Sequence, residues 1–286
     1  MIEIFQYFQY EFMRNAVIAI ILAGIACGIV GTYVVVRKLV FISEGISHAA
    51  FGGIGIGYFL KINPVIAAIP FAILAALAIG VMSKKANINE DTAIGIILAF
   101  GMAIGIIFIS ITPGYAADLF TYLFGSVITV SVSDIIIMVV LDAIIISTFF
   151  VFRREILAMS FDEEFSRIVG IPTKFLYLLT LCLIALSVVV LIRVVGIILI
   201  IALLTIPAAI AKNFTENFYK MSVLSVITGI VISIFGLLIA IIYNLPPGAT
   251  IIVVLGATFI LFGLVNKIIK PKIYQLKTYK QWKNRD

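Results

Sequence analysis

Long stretches without a charged residue constrain this chain more than any other feature of its sequence. Six runs of at least 18 residues contain no Asp, Glu, Lys or Arg: 15–36, 62–83, 92–117, 175–192, 194–211 and 221–266. A helix needs about 20 mainly apolar residues to cross about 30 Å of hydrocarbon. With 63% hydrophobic and only 12% charged residues, the chain cannot be a soluble enzyme, a disordered linker or a nucleic-acid-binding domain. It is predicted to be an integral membrane protein.

Two stretches that contain ionisable residues, 39–60 and 135–152, are also predicted to be membrane spans. The long run 221–266 is divided into two spans by the turn residues 244–248 (Asn-Leu-Pro-Pro-Gly). The fold class is therefore all-α and polytopic, with about nine (eight to ten) transmembrane helices in a single transmembrane domain over 1–286. Three GxxxG patterns, which begin at Gly24, Gly53 and Gly101, predict close contact between helix backbones.

The basic residues predict how the chain lies in the membrane. With the N-terminus outside and the C-terminus in the cytoplasm, 17 of the 20 Lys and Arg residues fall on the cytoplasmic side, and only Arg14, Lys61 and Arg193 do not. The segment 267–286 then forms a basic cytoplasmic tail that favours anionic lipid. Residues 1–14 have aromatic residues at helical spacing and no basic start, which predicts an interfacial helix rather than a cleaved signal.

Glu44 and His48 are ionisable residues in a predicted span, where such side chains cost about 2.5–3.5 kcal/mol and mark candidate functional sites. They are four residues apart, so one side of a helix carries both. A carboxylate and an imidazole can chelate a divalent cation such as zinc, manganese or ferrous iron. Two copies related by a two-fold axis would supply four such ligands. The alternative is a hydrogen-bonded pair that only packs helices.

Two further acids have less defined roles at this stage. Asp142 is a second acid within a span; it either faces a neighbouring helix or, in an ion-coupled secondary transporter, binds a proton or sodium ion together with Glu44. Asp118 begins a short apolar stretch, to Ser133, that is predicted to be a re-entrant or interfacial helix on the outer side. With one histidine and no HExxH motif, an intramembrane hydrolase is a poor alternative.

The segment 160–170 is predicted to be a short amphipathic helix in the cytoplasm. Ser160 and Glu163 have the spacing of a capping box, with Asp162 and Glu164 beside it. Gly170 and Pro172 end the helix. The apolar side is formed by Phe161, Phe165, Ile168 and Val169. Such a helix either lies on the membrane or docks into a groove on a partner.

Several motifs occur in the order and spacing of one known family. They are Glu-x-x-x-His-Ala at 44–49 with Asn-Pro at 63–64, Asp-Thr-x-x-Gly-Ile at 91–96, Asp-Leu-x-x-Tyr-Leu-Phe-Gly at 118–125, the apolar segment 195–209, and Tyr-x-x-Pro-x-Gly at 243–248. In these motifs the chain resembles the integral-membrane permease subunits of prokaryotic ABC importers for zinc, manganese and iron. The resemblance extends from about residue 15 to residue 266.

That resemblance implies a function and a set of partners. The chain would line the translocation path of an importer in the cell membrane as one of two permease copies, with two separate ATPase subunits and an extracellular metal-binding protein. No Gly-Lys dipeptide occurs, so the chain has no phosphate-binding loop of its own. The chain would not be an enzyme, and the metal would be cargo rather than a permanent cofactor. An ABC permease for a larger metal chelate is a further alternative.

The resemblance also implies roles for particular residues. Glu44 and His48 would lie on the metal-contacting helix, where the family more often has Asp in place of Glu44. Asp118 would lie in the outer pathway. The helix 160–170 would be the coupling helix that docks on the ATPase, with contacts from Phe161, Asp162, Glu163, Glu164, Phe165 and Gly170.

Overall fold

The computed structural model describes residues 9–85, 88–113, 125 and 127–283, and this part of the chain is helical. The helices are α1 (Glu11–Val36), α2 (Val40–Phe59), α3 (Pro64–Lys85), α4 (Glu90–Ser110), a 3₁₀ helix (Val127–Thr129), α5 (Val132–Val151), α6 (Arg153–Phe161), α7 (Glu163–Ile168), α8 (Thr173–Val195), α9 (Ile197–Lys212), α10 (Phe218–Ile242) and α11 (Pro247–Lys283). This confirms the all-α fold class.

Seven of the described helices are long and apolar enough to cross a membrane: α1, α3, α4, α5, α8, α10 and the part of α11 from Pro247 to Val265. Each coincides with one of the nine predicted spans. The other two predicted spans are helices as well. However, α2 carries Glu44 and His48 in its first half, and α9 has only 16 residues. Membrane crossing by these two helices stays a prediction.

Two predicted interfacial segments, 1–14 and 118–133, fall partly outside the described residues. Of the segment 1–14, residues 1–8 are not described, and from Glu11 onward the chain already belongs to α1. Asp118 also lies outside the described residues. Near the end of the predicted outer segment, Ser131 begins α5 with a capping box, in which its hydroxyl accepts from the backbone of Asp134.

Helix α8 lies at the centre of the described bundle and connects two groups of helices. On one side it packs against α3 and also contacts α2, and α2 lies between α3 and α4. On the other side, α8 contacts α1, α5 and α9. Helix α1 in turn packs against α9 and α10, and α11 packs against α10. The candidate metal residues therefore lie in the group formed by α2, α3 and α4.

Glycines bring the backbones of neighbouring helices into contact, as the GxxxG patterns predict. A Cβ atom built on Gly28 of α1 would lie 2.7 Å from Cα of Val226 in α10. One built on Gly53 of α2 would lie 2.6 Å from Cα of Ala68 in α3, and one on Gly101 of α4 would lie 2.6 Å from Cα of Ala49 in α2. A larger side chain at these positions would therefore push the helices apart.

Gly31 gives a direct test of this packing, because a Cβ there would overlap the backbone carbonyl of Leu204 in α9. We expect Gly31→Ala to lower the stability by about 1–3 kcal/mol, the usual cost of overpacking. The matched control is Gly256→Ala in α11, where a Cβ meets nothing within 4 Å. Thermal unfolding of the purified variants in detergent measures both effects. Equal melting temperatures for Gly31→Ala and wild type would contradict the prediction.

Candidate functional site

Glu44 and His48 lie one turn apart on α2, and both are half-buried. The other polar side chains of this part of α2 bond within the helix: the Ser43 hydroxyl donates to the Val40 carbonyl at 2.7 Å, and the Ser47 hydroxyl donates to the Ser43 carbonyl at 2.7 Å. The glycine-rich second half of α2 packs against α3 and α4. The carboxylate and the imidazole are thus the groups of α2 left available for a ligand.

An open groove of about 370 Å³ runs between α2 and α4 beside Glu44. Its lining consists of Phe41, Glu44, Asp91, Ile94, Gly95 and Leu98. A Cβ on Gly95 would meet nothing within 4 Å, so the groove is open on the α4 side. Asp91 is the residue that sequence reasoning missed, since an acid in the first turn of a helix is usually explained by the helix dipole.

Within the described residues, these groups do not by themselves make up a metal site. Among the described residues, no three His, Cys, Asp or Glu side chains lie close enough together to hold a metal ion. The groove brings Glu44 and Asp91 together, whereas His48 lies one turn farther along α2 and does not line it. A divalent transition metal needs about four ligands of this kind. A metal ion bound beside Glu44 would therefore need more ligands than the described residues bring together there.

Asp142 is separate from this groove. It lies in α5, which packs against α1 and α8, and it is buried with 5% of its surface exposed. One carboxylate oxygen, Oδ2, has no hydrogen-bond partner among the described residues. The structure thus does not bring Asp142 and Glu44 together around one groove.

The segment 160–170 differs from its prediction, because it is not one helix. Ser160 and Phe161 end α6, and α7 covers only Glu163–Ile168. The predicted capping residue is wrong: the Ser160 hydroxyl donates to the Ile156 carbonyl at 2.6 Å within α6. The N-cap is Asp162, whose extended backbone breaks the chain between the helices and whose Oδ1 accepts from the Phe165 backbone at 2.9 Å. Asp is as strong an N-cap as Ser, and its position lets α6 run on to Phe161.

The predicted end of the segment and its apolar surface are confirmed. Gly170 has φ +92°, its N–H donates to Arg167, and the N–H of Ile171 donates to Ser166 at 3.0 Å. This pair of bonds is the Schellman arrangement that ends many helices. The four predicted apolar side chains are all exposed, with between 60% and 79% of their surface accessible: Phe161, Phe165, Ile168 and Val169. Exposure on this scale over one short segment is typical of a surface that contacts a partner protein or a membrane.

Arg37 joins this segment to the end of α1. Its Nη2 donates to Oε2 of Glu163 at 2.7 Å, and its Nη1 donates to the backbone carbonyl of Met159 at 3.0 Å. The two side chains of the pair are only 17% and 30% exposed. Burial lowers the pKa of Arg37, but the hydrogen bond and charge of Glu163 together with the nearby Tyr33 hydroxyl offset this effect and leave the pKa above its ordinary value. Glu163 thus pairs with α1 instead of closing a capping box.

Two tyrosine hydrogen bonds join further helices: one connects α1 with α8, and the other connects α8 with α4. Tyr33 accepts a hydrogen bond from the Thr180 hydroxyl at 3.1 Å, and the Tyr177 hydroxyl donates to Glu90 Oε1 at 3.0 Å. Glu90 is the first residue of α4, the helix that carries Asp91. The partners are far apart in the sequence, and so sequence reasoning counted Arg37 only as a basic residue that sets orientation.

Comparison with known proteins identifies the family. The model of the ABC 3 transport family matches residues 9–266. An uncharacterised membrane protein of Synechocystis sp. is 43% identical over 256 residues, which cover 90% of this chain and 91% of the relative. The manganese transport system membrane protein MntC of Listeria monocytogenes is 38% identical over 254 residues, which cover 89% and 90%.

A solved structure agrees with these relatives. PsaBC from Streptococcus pneumoniae in complex with Fab superposes with a TM-score of 0.82 and 33% sequence identity, over 92% of this chain and 95% of that chain. The family match covers nearly all of the described helices, and the predicted resemblance is thereby confirmed. The chain belongs to the ABC 3 transport family.

Proposed function

We propose that the chain is the permease subunit of an ATP-driven importer of divalent transition-metal ions, with manganese, zinc or ferrous iron as cargo. The observation that carries this proposal is the placement of Glu44 and His48 one turn apart on α2, beside a groove that also contains Asp91. The relative from Listeria monocytogenes, named as part of a manganese transport system, supports manganese as the first ion to test.

The translocation path is completed by a second copy of the chain. One chain supplies a carboxylate and an imidazole on α2, and a two-fold pair supplies two of each, which suffices for four-coordinate binding. Ligands shared between two subunits separate when the subunits move, so the ion can be released. The longer side chain of Glu44, compared with the Asp more usual in the family, would move the carboxylate away from the helix by one methylene.

The orientation follows from the basic residues. Nine helices, α1 to α5 and α8 to α11, cross the membrane, with the N-terminus outside and the C-terminus in the cytoplasm. The cation reaches the outer face from an extracellular binding protein, near 113–131. Asp118 is the candidate acid of that outer pathway.

Coupling to ATP takes place at the cytoplasmic segment formed by α6 and α7. Its exposed apolar side chains dock on a separate ATPase subunit, and two such subunits serve the pair of permease copies. Movement of α7 reaches the bundle through the ion pair of Glu163 with Arg37, at the end of α1. ATP binding and hydrolysis thereby open the path to either side in turn.

Loss of either metal ligand tests the transport site. We expect Glu44→Gln and His48→Ala to lower metal accumulation at least about ten-fold, because even outer-shell residues of metal sites have effects of that size. The matched control is Glu216→Gln, at an exposed acid in the turn before α10. Elemental analysis for manganese, zinc and iron is done on cells that lack their own importers and express the chain with its ATPase and binding protein. Unchanged accumulation in both variants would refute the site.

Shortening the exposed side chains of α7 tests ATPase docking. We expect the double variant Phe165→Ala, Ile168→Ala to weaken binding of the ATPase by about 2 kcal/mol or more, as for loss of an apolar anchor at an interface. Phe235→Ala in α10 is the control, since Phe235 is 58% exposed and Phe165 is 60% exposed. Affinity is measured with the purified complex. Wild-type affinity of the double variant would contradict docking at α7.

Removal of the Arg37 charge tests the link between α7 and α1. A hydrogen bond to a charged group contributes about 1.5–3 kcal/mol, so in Arg37→Gln the backbone amides of α7 should exchange with deuterium at least about ten-fold faster. The control is Arg167→Gln, whose pair with Glu164 is exposed and 3.8 Å long and should contribute little. Identical exchange in α7 of wild type and Arg37→Gln would show that the pair does not hold the segment.

A further inference from the structure

Two apolar grooves lie on either side of α10, near the end of the helix that begins at Phe218. The first has a volume of about 370 Å³ and lies between α1, α5 and α10. The second has a volume of about 480 Å³ and lies between α10 and the turn that precedes it, near Phe214 and Thr215. Both grooves are lined by Tyr219, Val223 and Ile227 of α10. The two grooves are therefore separated only by one ridge of side chains.

Each groove contains one basic residue at the same end of α10. Arg153 lines the first groove, and Lys220 lines the second. Arg153 is held in place, because its guanidinium lies 5.3 Å from the centre of the Phe150 ring and its backbone carbonyl accepts from the Tyr219 hydroxyl at 3.3 Å. Arg153 and Lys220 therefore lie near the same end of α10, one on each side of the ridge.

The acids nearest in sequence do not oppose this positive charge within the grooves. Glu155 and Glu216 line neither groove. Beyond the basic residues, the ridge continues along α10 as an exposed apolar row at every fourth position, formed by Val223, Ile227, Val231 and Phe235. The surface thus combines positive charge at one end with an uninterrupted apolar length that would face hydrocarbon.

We propose that this surface binds an anionic glycerophospholipid of the cytoplasmic leaflet. Its phosphate lies between Arg153 and Lys220, and its two acyl chains occupy the grooves on either side of the Val223–Ile227 ridge. Basic pockets between transmembrane helices on the cytoplasmic side bind anionic headgroups in this way. The cytoplasmic location rests on the orientation given under the proposed function. A soluble partner is disfavoured because the apolar row continues to the depth of the bilayer.

Retention of lipid by the purified full-length chain tests the proposal. The chain is incubated in detergent with phosphatidylglycerol or with phosphatidylcholine of the same acyl chains, and bound lipid is counted by native mass spectrometry. We expect phosphatidylglycerol to be retained preferentially. Arg153→Gln and Lys220→Gln should each weaken its binding about five-fold, the fold-change equivalent to about 1 kcal/mol for one basic residue at a membrane surface.

The matched control is Lys38→Asn, which removes one exposed positive charge from the same end of the bundle but outside both grooves. Lys38 has φ +59°, a conformation that Asn tolerates, so the control should fold and retain phosphatidylglycerol as wild type does. Lys220 is exposed, and Lys220→Gln therefore remains informative if Arg153→Gln is unstable. Phosphatidylcholine binding, which should not change, reports on the integrity of each variant.

Four results would overturn the proposal. The first is equal retention of the two lipids, and the second is phosphatidylglycerol binding that falls no more in Lys220→Gln than in Lys38→Asn. The third is loss of bound lipid when two copies associate, which would make the grooves an interface between copies. Displacement of the lipid by millimolar inorganic phosphate would also refute acyl-chain recognition. None of these measurements requires metal or ATPase, so their failure is distinguishable from failure of the proposed transport function.

Discussion

The hydrocarbon core of a membrane offers no hydrogen-bond partner to the backbone, and this constraint determines the architecture of the chain. Each span must satisfy its own N–H and C=O groups, which only a helix can do within one segment. Because lipid is as apolar as the side chains, the helices are not driven together by the hydrophobic effect and depend on close packing instead. The contacts at Gly28, Gly53 and Gly101 provide that packing. The contacts at Gly53 and Gly101 hold α2, and with it Glu44 and His48, between α3 and α4.

Against this apolar background, the few partly buried polar contacts have a large structural effect. The Arg37–Glu163 pair is the contact between the end of α1 and the segment that carries the exposed apolar side chains. Tyr33 and Tyr177 continue the contact to α8 and α4. Helix α8 contacts both groups of helices, so a displacement of α7 would reach both. A long-range effect of this kind requires packed elements that move as units.

The groove between α2 and α4 and the grooves beside α10 differ in the charge of the residues that line them. The groove between α2 and α4 contains Glu44 and Asp91, whereas the grooves beside α10 contain Arg153 and Lys220. A metal cation is attracted to the first surface, and a lipid phosphate to the second. The helices that form them do not overlap, so the proposed path for cargo and the proposed contact with lipid are spatially independent.

The all-α membrane fold, seven of the spans, the glycine contacts and the family could be predicted from the sequence, because apolar run length, small-residue spacing and motif order are local signals. The exposed side chains of the 160–170 segment were predictable in the same way, whereas Glu44 and His48 stay predicted metal ligands. The capping of α7 by Asp162 rather than Ser160 depends on the folded structure, since both residues have suitable side chains and α6 had to end first. The same holds for the pairing of Glu163 with Arg37, 126 residues away, and for the groove that Asp91 and Glu44 both line. Such partners have no fixed spacing in sequence, because folding alone brings their helices together.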